Sequence, residues 1–285
     1  MRGDFSYIRP ETLDEALEVL DRWGDSARVI AGGTDLLIEV KKGKVRGGVL
    51  VDISRLRELH FLELSDGFIR MGPLLTHREI ASSDLLRREA RVLSLASGAV
   101  GSPQIRNVAT VGGNICNASP AADTLPALMV LEAELTLRRK GGERRVPFGD
   151  FFTAPYRTAL EPGELLAEIS FRPLGEGWKS AFFKLSRRKA FSMARISAAV
   201  ALKIEGERVR EARISVGSST PTPARMKEAE ELLRGKTLDE GRIAEVAALV
   251  SREMVGKAGR RPSTAYKSLA VQGLLKRVLR EASSG

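Results

Sequence analysis

The chain has 285 residues, 43% of them apolar and 29% charged, enough to bury a substantial core as one large domain or two to three small ones. Two histidines, His60 and His77, and a single cysteine, Cys116, exclude an internal disulfide, a Cys-rich zinc or iron–sulfur centre and a His-based metal site, so redox chemistry here requires a bound organic cofactor. The net charge of +10 admits nucleic acid, an acidic partner or an anionic cofactor, but the basic residues sit in small scattered clusters such as Arg138-Arg139-Lys140 and Arg260-Arg261 without interleaved aromatics, which reads as solvated faces rather than a stacking platform.

No apolar run approaches the roughly 18 residues of a membrane span, and Met1-Arg2-Gly3-Asp4-Phe5 has no apolar signal-peptide core, so a cytoplasmic location is expected. Thr12-Leu13-Asp14-Glu15 reads as a capping box opening an amphipathic helix with Leu13, Ala16, Leu17 and Leu20 on one face. A buried strand is expected from Ala27 to Ala31, followed by the turn Ala31-Gly32-Gly33-Thr34-Asp35, a helix over Leu36 to Lys41 and a strand over Val49 to Ile53. Together they make a small βαβ-like unit.

From about Glu58 the pattern shifts to short strands around Phe61–Leu64 and Phe68–Met71, then a second capping box, Thr76-His77-Arg78-Glu79. His77 inside that box, and His60 beside Phe61, are expected to serve packing or hydrogen bonding rather than catalysis. A helix over Leu93 to Val100 stops near Gly101-Ser102-Pro103, and a second glycine turn follows, Thr110-Val111-Gly112-Gly113-Asn114, read like the first as lying where a strand meets another element. Beyond it come a helix over Asp123 to Leu131, a hairpin of Leu135–Leu137 and Arg144–Val146 about Gly141-Gly142, and a strand over Leu165 to Phe171. The last third holds strands at Ala181–Leu185, Ala198–Ile204 and Glu211–Val216, then helices near Met226–Leu233, Ile243–Val255 and Ser263–Ala282, the last with Tyr266, Leu269, Ala270, Leu274 and Val278 as a core-facing stripe.

Neither glycine turn is a Walker A loop or a G-x-G-x-x-G fingerprint, and a lone Gly-Gly pair is commonly a plain turn. Two of them, each preceded by apolar residues and followed by a small polar side chain, read together as a two-pronged anion cradle whose main-chain N–H groups approach a phosphate closely. Asn114, Asn117, Ser119 and Asp123 then crowd polar groups among apolar ones, with Pro120 and Pro126 restricting the backbone. Asp123 suits a polyol hydroxyl as acceptor or a cap on the helix beginning near Thr124. Cys116 has no histidine near it in sequence and reads as a small packing residue.

Three segments carry a family resemblance: Ala31-Gly32-Gly33-Thr34-Asp35-Leu36-Leu37, Arg106-Asn107-Val108-Ala109-Thr110-Val111-Gly112-Gly113-Asn114-Ile115, and Ala118-Ser119-Pro120-Ala121-Ala122-Asp123. Tyr156-Arg157-Thr158, Glu164-Leu165-Leu166 and Phe183-Lys184-Leu185-Ser186-Arg187-Arg188 follow in the same order. Over essentially its whole length the chain resembles the FAD-binding medium subunit of the molybdenum hydroxylases, a family that includes carbon monoxide and xanthine dehydrogenases. The resemblance implies an α+β protein with the FAD-binding fold of the vanillyl-alcohol-oxidase/PCMH type: an N-terminal α/β unit over 1–56, an α+β unit over 57–175, and a C-terminal domain over 176–285 with a three-stranded sheet and helices.

It further implies noncovalent FAD with its pyrophosphate on both turns, namely Val29, Ile30, Ala31, Gly32, Gly33, Thr34, Asp35 and Leu36 together with Thr110, Val111, Gly112, Gly113 and Asn114. Asp123 would meet ribityl or nearby hydroxyls, and Leu166 would pack on the ring system. Lys184 would lie close to the isoalloxazine and favour its reduced, anionic form; by pattern alone it is a snorkelling strand lysine. Val100 takes the place where some relatives carry an aromatic contact. No catalytic residue and no metal ligand is expected. The implied partners are a large molybdenum-cofactor subunit and a small subunit with two-iron, two-sulfur clusters, assembled as a dimer of heterotrimers. A self-contained flavin oxidoreductase and a cofactor-free nucleic-acid-binding protein are the competing readings.

Overall fold

The computed structural model describes residues 5–188 and 193–284. The N-terminal unit is a parallel sheet of β1 (Phe5–Ile8), β2 (Ala27–Ile30) and β3 (Gly48–Asp52) in the order β1-β3-β2, with α1 (Leu13–Trp23) after β1 and α2 (Leu36–Lys41) crossing from β2 to β3. Leu13, Ala16, Leu17 and Leu20 of α1 are all buried against Val49 and Val51 of β3, as the 3.6-residue spacing dictates. The box at its start is half formed. Thr12 accepts the Glu15 N–H, but the Glu15 carboxylate turns back to the Glu11 N–H at 2.8 Å.

β2 is not the buried strand its apolar run predicts. It is an edge strand, with Arg28 and Val29 exposed and only Ala27 and Ile30 half-buried.

The middle unit begins with the hairpin β4 (Leu62–Ser65) and β5 (Phe68–Met71) and continues through five short helices: α3 (His77–Ser82), α4 (Asp84–Glu89), α5 (Arg91–Gly98), α6 (Pro103–Arg106) and α7 (Val111–Asn117). After α8 (Thr124–Val130) come the hairpin β6 (Glu134–Arg139) and β7 (Gly142–Pro147), the two-stranded β8 (Phe152–Ala154) and β9 (Arg157–Thr158), and β10 (Leu165–Phe171). The sheet order is β4-β5-β10-β6-β7, every pair antiparallel. β10, last in sequence, thus closes the centre. Its two faces serve different cores: Leu165 and Ala167 pack with α1, whereas Leu166, Ile169 and Phe171 join the helical side. A register shift between Leu166 and Glu168 moves the alternation by one residue and allows both.

The C-terminal unit is an antiparallel sheet of β11 (Trp178–Ser186), β12 (Ala194–Glu205) and β13 (Arg208–Gly217), followed by α9 (Lys227–Leu233), α10 (Glu240–Ala258) and α11 (Thr264–Ser284). Alternation along the strands sends Phe182, Ala199 and Ala201 into the middle core and Ala181, Ala198, Val200 and Leu202 toward α9, α10 and α11. The sheet is therefore covered on both faces, which explains its unbroken apolar runs. Glu132, in the turn after α8, ties the two units by accepting from Arg213 at 3.1 Å and Arg225 at 2.9 Å.

On α11 the predicted stripe is displaced. Val271, Leu275, Val278, Leu279 and Ala282 are buried, whereas Tyr266 and Leu269 stand in the open. The buried face thus begins at Val271, so a continuous periodic pattern meets a core over only part of its length. No helix among the described residues is long and apolar enough to cross a membrane.

Candidate functional site

The two glycine turns are adjacent in space and built differently. At the end of β2 the Ile30 carbonyl still accepts the Ile53 N–H at 3.0 Å, and the chain then leaves the sheet. Gly33 has φ +68°, a conformation that glycine adopts without strain. The N–H groups of Gly32, Gly33, Thr34, Asp35 and Leu36 meet no acceptor among the described residues; the helical pattern begins with Leu37, which donates to the Gly33 carbonyl at 3.1 Å. Successive unpaired N–H groups about a positive-φ residue form an anion-binding concavity. Beside it the Asp35 carboxyl is raised above the usual carboxylate range, by desolvation first and by Glu39 second.

The second turn is not preceded by a strand. Pro103–Arg106 is helical, and Thr110 caps α7, its hydroxyl accepting the Gly113 N–H at 3.1 Å. The Val111 N–H donates to Leu75 and the Gly112 N–H to Pro73, both at 2.9 Å, and the Asn114 N–H donates to Thr110 at 3.0 Å. Its donors from Val111 to Asn114 are therefore engaged, so the second turn offers fewer main-chain N–H groups than the expectation gave it. What remains for a ligand is the Thr110 N–H and hydroxyl proton and the Asn114 side-chain amide.

Glycine is required in this turn for packing. A Cβ at Gly112 would stand 2.8 Å from the Pro73 carbonyl oxygen, and one at Gly32 would overlap the Val108 carbonyl and lie 3.1 Å from the Ala109 Cα. The segment before the second turn thus presses on the first.

Behind the turns, the Asn114 Oδ1 accepts the Thr124 hydroxyl at 2.6 Å. Asp123 occupies the cap position of α8 without capping it. Its Oδ2 instead accepts the Lys184 Nζ at 2.6 Å, and the same ammonium donates to the Ala99 carbonyl at 2.9 Å, next to Val100. The Lys184 side chain is 11% exposed, so it is not the snorkelling surface lysine of the strand pattern. Burial, only partly offset by Lys184, raises the Asp123 carboxyl to about 6, and its Oδ1 is buried without a partner among the described residues. Leu166 is 2% exposed within the middle core.

Two features here go beyond the packing or hydrogen-bonding role expected of His77. His77 is fully buried under the second turn, its N–H donating to the Ala109 carbonyl at 3.1 Å, with neither ring nitrogen hydrogen-bonded among the described residues. Burial first, and Arg106 second, push its pKa down to about 4. The loop into Asp123 is also held by three non-glycine residues at positive φ: Ala118 (48°), Tyr156 (60°) and Ser218 (60°). Tyr156 donates from its N–H to the Ala118 carbonyl at 2.9 Å, and Ser218 to the Pro120 carbonyl at 2.8 Å. Backbone strain of this sort persists where the surroundings over-determine it, commonly at ligand clamps. Only the tertiary contacts reveal it.

The Cys116 thiol packs against the middle core, and burial pushes it up to about 12, which makes it inert. His60 is exposed and contacts Glu79 at 3.0 Å. Among the described residues no group of three or more His, Cys, Asp and Glu side chains is placed to hold a metal.

The donor set fits a dinucleotide carrying a pyrophosphate and hydroxyls. A row of unpaired N–H groups with room only for glycine suits the anion, and the orphaned Asp123 oxygen is an acceptor for a hydroxyl.

Known proteins agree with that chemistry. Residues 3–172 match the family described as the FAD binding domain in molybdopterin dehydrogenase, and residues 181–282 match the CO dehydrogenase flavoprotein C-terminal domain. The nicotinate dehydrogenase FAD-subunit of Eubacterium barkeri is 34% identical, covering 96% of this chain and 95% of that one. The glyceraldehyde dehydrogenase medium chain of Sulfolobus acidocaldarius is 32% identical over 98% and 99%. Among solved structures, a chain of the reconstituted CO dehydrogenase from Oligotropha carboxidovorans superimposes with a TM-score of 0.93 at 28% identity, covering 100% of this chain and 99% of its own. The chain belongs to the FAD-binding medium subunits of the molybdenum hydroxylases, and is a flavoprotein component of an oxidoreductase.

Proposed function

We propose that this chain is the electron-relay subunit of a three-component molybdenum hydroxylase. In this reading a large subunit carries the molybdenum cofactor and the substrate site, a small subunit carries two-iron, two-sulfur clusters, and this chain stands between those clusters and an external acceptor in a cytoplasmic dimer of heterotrimers. FAD, when bound, supplies exchange between one-electron and two-electron carriers. The observation that carries the reading is the row of five unpaired N–H groups from Gly32 to Leu36, pressed by the Val108 carbonyl.

The residues divide the work of holding the cofactor. Gly32, Gly33, Thr34, Asp35 and Leu36 would hold the pyrophosphate through main-chain donors, while Val29, Ile30 and Ala31 set the strand end that aims them. Thr110 and Asn114 would add side-chain donors, with Val111, Gly112 and Gly113 fixing the second turn. Asp123 would accept from a hydroxyl through its free oxygen. Lys184, anchored by Asp123 and Ala99, would place a cation where negative charge on the reduced ring is favoured. Val100, beside that anchor, and Leu166, in the core below, would shape the apolar side.

None of these residues forms a proton-abstracting triad, which matches the family's assignment of substrate chemistry to another component. The full chain reconstituted with FAD should show a bound flavin spectrum yet hydroxylate none of nicotinate, glyceraldehyde, xanthine or carbon monoxide. Failure to retain FAD, or substrate-dependent bleaching of the flavin by this chain alone, overturns the reading.

A further inference from the structure

Three cations converge where α11 begins. The Arg195 guanidinium of β12 lies 5.2 Å from the ring centroid of Tyr266. Lys267, one residue on, donates from Nζ to the Ser218 carbonyl. Arg261, held by its Nε to the Ala258 carbonyl at 3.1 Å, lies close enough that, after partial burial, it and then Arg195 hold the Lys267 ammonium below its ordinary range.

Among the described residues none of the three has a carboxylate within 4.0 Å, although basic residues elsewhere do, as Arg139 with Glu161 and Arg144 with Glu164. Their place also opposes helix stability. The first turn of α11 contains no acidic residue, and the positive end of a helix dipole disfavours cations. Charge gathered against local stability and left without an internal counter-charge marks a surface that meets negative charge from outside.

The neighbouring side chains indicate what kind of negative charge. Leu269 is 74% exposed, Tyr266 45% and Met193, two residues before Arg195, 80%. Two grooves of the molecule, one of about 440 Å³ between α1 and the β6–β7 turn and one of about 350 Å³ near Arg70 and Thr136, are lined by none of these residues. Apolar, Tyr, Met and Arg contacts inside a charged rim are the composition of protein interfaces. The cluster is also joined to the cofactor side: Lys267 holds the Ser218 carbonyl, and the Ser218 N–H donates to Pro120, three residues before Asp123.

We propose that the start of α11, with Arg195, docks an acidic protein that exchanges electrons with this chain; the proposal rests on the relay reading above. Carboxylates on the partner pair with Arg195, Arg261 and Lys267, while Leu269, Tyr266 and Met193 form the dry centre of the contact. Charge complementarity of this kind steers encounter and sets register.

The test uses the native complex, recovered through a tag on this chain. Combined Arg195→Glu, Arg261→Glu and Lys267→Glu should weaken retention of one partner chain by about 100-fold with the flavin spectrum unchanged, and should abolish the salt dependence of its binding. Leu269→Asp alone should weaken it about tenfold, and this variant with the salt series decides the matter if the triple variant does not fold. Arg138→Glu with Lys140→Glu, on the β6–β7 turn, should leave it unchanged.

The proposal is overturned if the triple variant keeps wild-type composition, if the β6–β7 variant weakens binding equally, or if inorganic phosphate occupies the cluster without displacing the partner. A wild-type chain that holds FAD yet recovers no protein partner refutes the relay reading, and this proposal with it. Partner binding that ignores the variants refutes this proposal alone.

Discussion

The two Gly-Gly turns share a sequence pattern and differ in what their backbones do. Among the described residues the first leaves five consecutive N–H groups without acceptors, whereas the second engages its N–H groups from Val111 to Asn114 with Pro73, Leu75 and Thr110. The same dipeptide therefore leaves its donors open in one place and makes a packing joint in the other. What separates them is the neighbouring chain. Residues 73–75 run alongside the second turn and take donors from it, while the first turn meets the Val108 carbonyl and the Ala109 Cα, neither of which accepts a hydrogen bond from it among the described residues.

Substitution at the joint between the turns should have the largest effect. In Gly32→Ala the new methyl overlaps the Val108 carbonyl, backbone that cannot yield cheaply. A loss of about 3 kcal/mol in urea unfolding and at least a 100-fold rise in the FAD Kd are expected. Gly112→Ala meets Pro73 and should lose about 2 kcal/mol of stability, yet the folded fraction should bind FAD within a few-fold of wild type. A variant that keeps its stability and loses FAD would make the second turn a donor like the first and break the distinction.

His77, beneath the second turn, gives that joint a pH dependence. Its folded pKa of about 4 lies below the ordinary 6.5, so the unfolded chain binds the extra proton and stability falls as pH drops from about 6.5 toward 4. At pH 5 this amounts to roughly 2 kcal/mol. His77→Leu should therefore gain about that much on wild type between pH 7.5 and pH 5, read by urea unfolding at each pH; an unchanged difference would show that the ring is not buried neutral.

Asp123, on the ligand side, has the opposite sign. Its folded pKa of about 6 lies above 3.8, so its neutral form is favoured by folding and stability falls as pH rises through this interval. Asp123→Asn should gain about 1 kcal/mol on wild type between pH 5 and pH 7.5 in the FAD-free chain, while weakening FAD binding. Together the two variants separate a joint that loses stability in acid from a site that loses it as its carboxyl ionises.

Much of this molecule is legible in the sequence where periodicity meets a single core. The α1 face, the capping box at Thr76, the hairpin about Gly141-Gly142 and the C-terminal strands all follow from local pattern, and each is realised. Pattern fails where an element outruns its cover. β2 reads as buried but lies on an edge, and the start of α11 reads as core but leaves Tyr266 and Leu269 exposed.

The composition alone determined that redox chemistry here belongs to an organic cofactor, because two histidines and one cysteine cannot build a metal centre. The two glycine turns suggested an anion cradle, because glycine lets backbone approach closely or take a left-handed turn, and the family resemblance made FAD its expected occupant. Only the tertiary structure decided which turn leaves its donors without acceptors, that Asp123 holds Lys184, and that three cations gather at α11 with no carboxylate within 4.0 Å among the described residues. A hydrogen-bond donor is free or engaged according to which distant segment passes beside it, and local sequence does not encode that neighbour.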